Sequence, residues 1–202
     1  FLYIFSAQMS FATEDVERTL NNSASNETVW ANSWGAIFGG LTLTQGALIP
    51  IVKDPELRVD LAVGAFSASL GLIPTLLFRP PIISSWEHLQ EMKPNLSAEE
   101  FNRQMQLLLE QDISDKQLRR DWRVHVGNVG VNAALGLTQS LVFKHVTEGI
   151  ISFVVGTAMG ELLIFTQPRI KGSGNDVVQE ALLKIFPAFS NNQFNLIATF
   201  SF

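Results

Sequence analysis

Asp121, His125, Asn128, Asn132 and Gln139 are spaced four, three, four and seven residues apart, which stacks a carboxylate, an imidazole and three amides on one helical face. The stretch that carries them, 121–143 (DWRVHVGNVGVNAALGLTQSLVF), is apolar enough to cross a bilayer. Such a stripe has two uses. With a carboxylate on a neighbouring helix, the imidazole can relay protons or hold a ligand, because an ionisable group inside a membrane is by default a functional hypothesis. The same pairing can instead fix helix register where no water is available to satisfy polar groups. The stripe is rich in amides, which pair well but do not transfer protons, and this favours the second use.

The partner expected for His125 is Glu161, inside the last apolar run. If four spans alternate between a side A, which holds both termini, and a side B, then at 1.5 Å per residue Glu161 lies roughly 9 Å and His125 roughly 6 Å from the side-A ends of their helices. They therefore share a depth. On side B, Gln139, Gln45 and Asp60 are placed to meet in the same way, although Asp60, one turn into its helix, also reads simply as a group stabilising the helix dipole at the membrane edge. Metal chemistry fails on counting: His88, His125 and His145 share no ligand spacing, and cysteine is absent. Nucleotide-binding glycine loops and nucleophile elbows are also missing, so the sequence points away from an enzyme and implies no cofactor.

These residues need helices to hold them. Hydrophobic residues make up 47% of the 202 and charged residues 16%, against roughly 25% in an ordinary soluble domain. The net charge of −5 gives no support to a nucleic-acid surface. Residues 1–29 read as an N-terminal segment. Phe1–Phe5 followed by SAQMSFA is either the tail of a signal peptide or a short apolar helix end, and NNSASNET reads as a polar linker. Residues 30–168 read as a membrane domain of four spans. The first, Trp30–Val52, starts with Trp30 and Trp34 one turn apart, as interfacial aromatics would be, with Trp122 in the same role on the third. Asp54-Pro55-Glu56 starts a second helix that runs through Phe78, carries Asp60, Gly64, Ser67 and Gly71 on one face, and is stopped by Arg79-Pro80-Pro81.

Residues 82–120 form one long aqueous connection. In it Ser97 and Glu100 are a capping-box signature for an amphipathic helix presenting Phe101, Met105 and Leu108, and Ser114 reads as the start of the organising helix. A short turn at 144–149 makes the fourth span, Gly149–Gln167, an antiparallel neighbour of the third, with Gly149, Ser152, Gly156 and Gly160 along one side. In the tail, 169–202, an amphipathic helix is expected over Val177–Phe186, and Phe194–Phe202 alternates as a short strand that another copy or an envelope partner could pair.

Three segments, LRVDLAVGAFSASLG, RDWRVHVGNVGVNAALG and GTAMGELLIFTQP, together resemble a group of small bacterial envelope proteins best represented in myxobacteria and their relatives. The resemblance rests on a W-x-x-H-x-x-N-x-x-x-N pattern at Trp122, His125, Asn128 and Asn132 and a Gly160-Glu161…Thr166…Pro168 pattern. It implies a topology and an envelope setting, with no activity attached. Side A carries 11 of the 14 basic residues, which places both termini in the cytoplasm for an inner-membrane protein; a cleaved signal peptide would place them outside it, and inner and outer membrane both stay open. The expectation is thus an all-α, four-helix transmembrane bundle with an amphipathic loop helix and a short C-terminal strand, structural or interactive in role, with a small transporter or proton-coupled channel as the rival.

Overall fold

The computed structural model describes residues 13–170, together with the backbone of 182–190 and 193–201. Residues 13–170 are all-α, and six helices follow one another: α1 (Thr13–Leu48), α2 (Pro55–Leu76), α3 (Pro81–Met92), α4 (Ala98–Leu118), α5 (Trp122–Leu141) and α6 (Val146–Phe165).

α1 overturns the expected linker. It is one helix of 36 residues that passes straight through NNSASNET, so the boundary drawn at residues 29 and 30 falls inside it. Asn, Ser and Thr are weak helix formers, but tertiary contacts override propensity here. Val16, Leu20, Ser23, Ala24, Glu27, Ala31, Trp34 and Phe38 form one buried stripe at three- and four-residue spacing, and the polar letters occupy the other faces.

The first half of that stripe packs against α3 and α4. Leu20, Ile82, Ile83, Trp86, Leu89, Phe101, Met105 and Leu109 close a three-helix head with an ordinary apolar core. The expected amphipathic helix is therefore α4, capped by Ser97, whose hydroxyl accepts from the Glu100 amide at 3.1 Å. α3 was not anticipated. Pro80-Pro81 reads as a stop, yet Pro81 stands at the first helical position, where its missing N–H costs nothing. Ser114 starts no helix: α4 runs through it to Leu118, and the chain breaks at 119–121, where the Asp121 carboxylate caps α5 by accepting from the Arg123 amide.

The second half of α1 joins α2, α5 and α6 in an apolar layer made of two helical hairpins, α1–α2 and α5–α6. Asp54 caps α2 through the Glu56 and Leu57 amides. Lys144, at a φ of 63°, turns the chain between α5 and α6. The layer is apolar on its outside. Phe66, Leu137, Ile150 and Val154 are each 55–58% exposed, and Leu43, Ile73, Leu141 and Val155 are exposed with them. Among the described residues two helical stretches are long and apolar enough to cross a membrane, Pro55–Asn95, which begins with α2, and α6, with mean hydropathy 1.9 and 1.6.

The tail also differs from expectation. Leu182–Ser190 is a strand rather than the end of a helix over Val177–Phe186, whose first residues lie outside the described ones. It pairs antiparallel with Gln193–Ser201, so the alternating segment finds its partner within the chain.

Candidate functional site

From His125 to Gln139 the stripe on α5 faces α6, and each polar side chain is met by a small or polar residue there, whereas Asp121 caps α5 and pairs with Arg123. Near side A, His125 Nδ1 lies 2.6 Å from Glu161 Oε2. Asn128 Nδ2 donates to Glu161 Oε1 at 2.9 Å and to the Thr157 carbonyl at 3.0 Å. Asn132 Nδ2 in turn donates to the carbonyl and side-chain oxygens of Asn128, both at 2.9 Å. Phe165 flanks the imidazole, ring centroids 5.5 Å apart.

The glycines of α6 make room for these amides. A Cβ built on Gly160 would collide with the Asn128 side chain, and one on Gly156 with that of Asn132. The seven-residue gap in the stripe is filled by Gly136, where the two helices approach so closely that an added Cβ would stand 2.6 Å from the Gly149 carbonyl oxygen.

About 21 Å further along α5, at fourteen residues of 1.5 Å each, a second cluster forms at side B. Gln139, 1% exposed, donates from Nε2 to Asp60 Oδ1 at 2.8 Å and accepts from Ser152 Oγ at 2.7 Å. His145 Nδ1 lies 2.9 Å from the same Asp60 oxygen. In the turn before α6, the imidazole is held above its ordinary value, first by the hydrogen bond with Asp60 and then by the nearby charges of Asp60, Glu56 and Glu148. This cluster ties the two hairpins to each other, because Asp60 belongs to α2.

The remaining sequence candidates are placed otherwise. Gln45 does not meet Asp60; it packs on Gly64, and its Oε1 is buried with no hydrogen-bond partner among the described residues. Trp30 and Trp34 do not lie free at an interface. Their indole N–H groups both donate to Thr166 Oγ1, at 3.3 and 2.9 Å, and Trp34 is buried and stacked on Phe38. Trp122 alone of the three is largely exposed. Among the described residues no group of three or more His, Cys, Asp or Glu side chains gathers as metal ligands would.

Sequence reasoning missed His145 and a buried ionic set at the junction of head and layer. Glu27 is fully buried and binds Arg119 through two hydrogen bonds of 2.6 and 3.2 Å. Lys116 lies 2.8 Å from Asp112 and 3.7 Å from Glu27, and bonds Ser23, which donates to Asp112 at 2.5 Å. The signal was the spacing: Ser23 and Glu27 are one turn apart, and Asp112, Lys116 and Arg119 follow at four and three.

Between the hairpins lies a cleft of about 540 Å³, reached by Asn128, Asn132, Ser152, Gln45, Arg119 and Gln167 within an otherwise mainly apolar wall. No protein-family model, curated protein or solved structure matches this chain.

Proposed function

We propose that the chain is an integral membrane protein of the bacterial envelope, with four spans and a helical head on side A, whose role is structural or interactive rather than catalytic. The observation that carries this is the inverted order of the layer formed by α1, α2, α5 and α6. Large apolar side chains point outward, while His125, Glu161, Asn128, Asn132, Gln139 and Asp60 point inward and are paired. In water that arrangement exposes what should be buried; in a bilayer the outside meets lipid and the inward-facing groups named here are paired. The envelope setting rests on the resemblance of the α2, α5 and α6 motifs.

On this reading the His125–Glu161–Asn128 set is a clasp that holds α5 to α6, and Asp60–Gln139–His145 is one that holds hairpin to hairpin. The partners are the lipid bilayer and, through the outer edge of the strand Gln193–Ser201, whose other edge pairs within the chain, a second copy or another envelope protein. The basic residues concentrated on side A place the head in the cytoplasm if the membrane is the inner one.

Glu161→Gln keeps both hydrogen bonds and should leave thermal stability in detergent nearly unchanged. Glu161→Leu strands His125 and Asn128 and should cost about 1–2 kcal/mol. The cleft between the hairpins supports a second reading, a small transporter or proton-coupled channel. If both variants stay fully stable while a proton or solute flux disappears in vesicles, that second reading replaces the clasp.

A further inference from the structure

We propose that a collar of arginines at the side-A end of the layer binds anionic phospholipid headgroups, holding lipids of the phosphatidylglycerol type in preference to zwitterionic ones. The proposal rests on the membrane reading above and adds the class of lipid that one rim of the layer selects. Arg79 follows the end of α2, Arg123 stands in the first turn of α5 and Arg169 follows the end of α6, and all three are exposed. Hydrogen bonds hold these helix ends at one level. Arg79 bonds the Asn32 side chain on α1, Trp30 and Trp34, which flank Asn32 in the sequence, donate to Thr166 at the end of α6, and Arg120 bonds the neighbouring Gln167 carbonyl.

An exposed aromatic ring accompanies each of the three exposed arginines. Phe78 precedes Arg79 and is 73% exposed, Trp122 precedes Arg123 at 65%, and Phe165 lies four residues before Arg169 at 64%. The Arg123 guanidinium sits over the Trp122 ring, 5.9 Å from its centroid. Aromatic rings at the boundary of the hydrocarbon, with cations reaching from beside them to the headgroups, are how helix ends sit in a bilayer. The three pairs therefore set the depth of the collar at the lipid phosphates.

Charge decides which headgroup is favoured at that depth. Glu27 and Asp112 offset Arg119 and Lys116 within the buried set, which leaves Arg79, Arg120, Arg123 and Arg169 against Asp115 and Asp121 among the described residues. Asp121 lies 3.8 Å from Arg123 and covers it only in part, since 79% of that arginine side chain is exposed. Arg79 bonds a neutral amide, and Arg169 has no ion-pair partner among the described residues. The rest of the head is acidic: residues 13–26 and 81–111 hold eight carboxylates against Arg18, Lys93 and Arg103. The nearest of those carboxylates along their helices, Glu87 and Glu110, stand roughly 9 and 12 Å from the junction, beyond a Debye length of about 8 Å, so salt screens them from the collar. Side B has no such surplus, because Lys53, Arg58 and Lys144 there are matched by Asp54, Glu56, Asp60 and Glu148.

The test is native mass spectrometry of the full chain in a non-ionic detergent, titrated separately with palmitoyloleoyl phosphatidylglycerol and with the phosphatidylcholine of the same acyl chains. Phosphatidylglycerol should be retained about tenfold more tightly. Raising the ammonium acetate concentration about tenfold should remove most of that preference, because the contacts are exposed to solvent. The triple variant Arg79→Gln, Arg123→Gln, Arg169→Gln should retain the two lipids equally at unchanged melting temperature. A triple variant on side B, Lys53→Gln, Arg58→Gln, Lys144→Gln, removes the same charge and should keep the preference of the parent. Equal retention of the two lipids by the parent, a preference untouched by salt, or identical behaviour of the two variants overturns the proposal. The preference of the parent and its salt dependence decide the matter if a variant fails to fold. A chain recovered from membranes that shows no preference refutes the collar alone, whereas recovery in the soluble fraction refutes the membrane reading beneath it.

Discussion

The head and the layer share one helix and one buried stripe but differ in what they leave on the outside. In the first half of α1, Val16, Leu20 and Ala24 turn inward against α3 and α4, and Glu17 and Arg18 turn out, Glu17 meeting Lys93 at 2.6 Å. In the layer large apolar residues also turn outward, and the interior combines an apolar cluster around Trp34, Phe38 and Ala68 with glycines and paired amides. On the membrane reading proposed above, the contrast follows from the solvent each half meets rather than from the helix as such. Between them lies the Glu27–Arg119–Lys116–Asp112 set, where one rule gives way to the other.

The comparison is broken most directly at that junction. Glu27→Leu removes the carboxylate that both Arg119 and Lys116 face in a dry environment, and loss of one partner of a buried pair costs about 3–5 kcal/mol. Denaturation of the purified protein in detergent should show that loss; a variant as stable as the parent would mean that the junction is wet.

Truncation in the two regions sharpens the contrast. Leu20→Ala, in the head core, should cost about 2–5 kcal/mol. Phe66→Ala, on the outside of the layer, removes a side chain that faces detergent in either state and should leave the unfolding midpoint nearly unchanged. Similar losses at both sites would erase the distinction.

The layer is most sensitive where its backbones touch. Gly136→Ala drives a methyl against the Gly149 carbonyl and should cost about 1–3 kcal/mol, whereas Gly130→Ala, in open space, should be neutral.

The smallest effect is on pH dependence. The hydrogen bond with Asp60 holds the His145 imidazole above its ordinary value of about 6.5, so its protonated form is favoured in the folded state. The stability it adds is fully present below pH 6.5 and fades as pH rises through the raised value. Melting temperatures of the parent should therefore fall across that window relative to His145→Gln, and parallel curves for the two would remove His145 from the clasp.

Much of the layer was legible in the sequence because its signals are local. The Asp54 cap of the layer, like the Ser97 cap of the head, is written in adjacent residues, and the stripe from His125 to Gln139 and the small face of α6 follow from helical spacing alone. That Glu161 would share a depth with His125 followed from counting rise per residue. What stayed hidden depends on tertiary contact. NNSASNET reads as a linker because the buried partners of Ser23 and Glu27 lie about ninety residues away, on α4 and just beyond its end. His145 reads as a turn residue until α2 brings Asp60 to it. Thr166 carries no pattern that would announce two tryptophan N–H groups converging on it. The strand over Leu182–Ser190 carries alternation too irregular to outweigh a helix reading, and it becomes visible only with Gln193–Ser201 beside it.

The central claim is that the apolar outside of α1, α2, α5 and α6 faces lipid. Expression of the full chain in bacteria, followed by fractionation and alkaline washing of the membranes, tests it in one step. The protein should stay in the washed membrane pellet and be released only by detergent; recovery in the soluble fraction as a monodisperse species without detergent would contradict that claim.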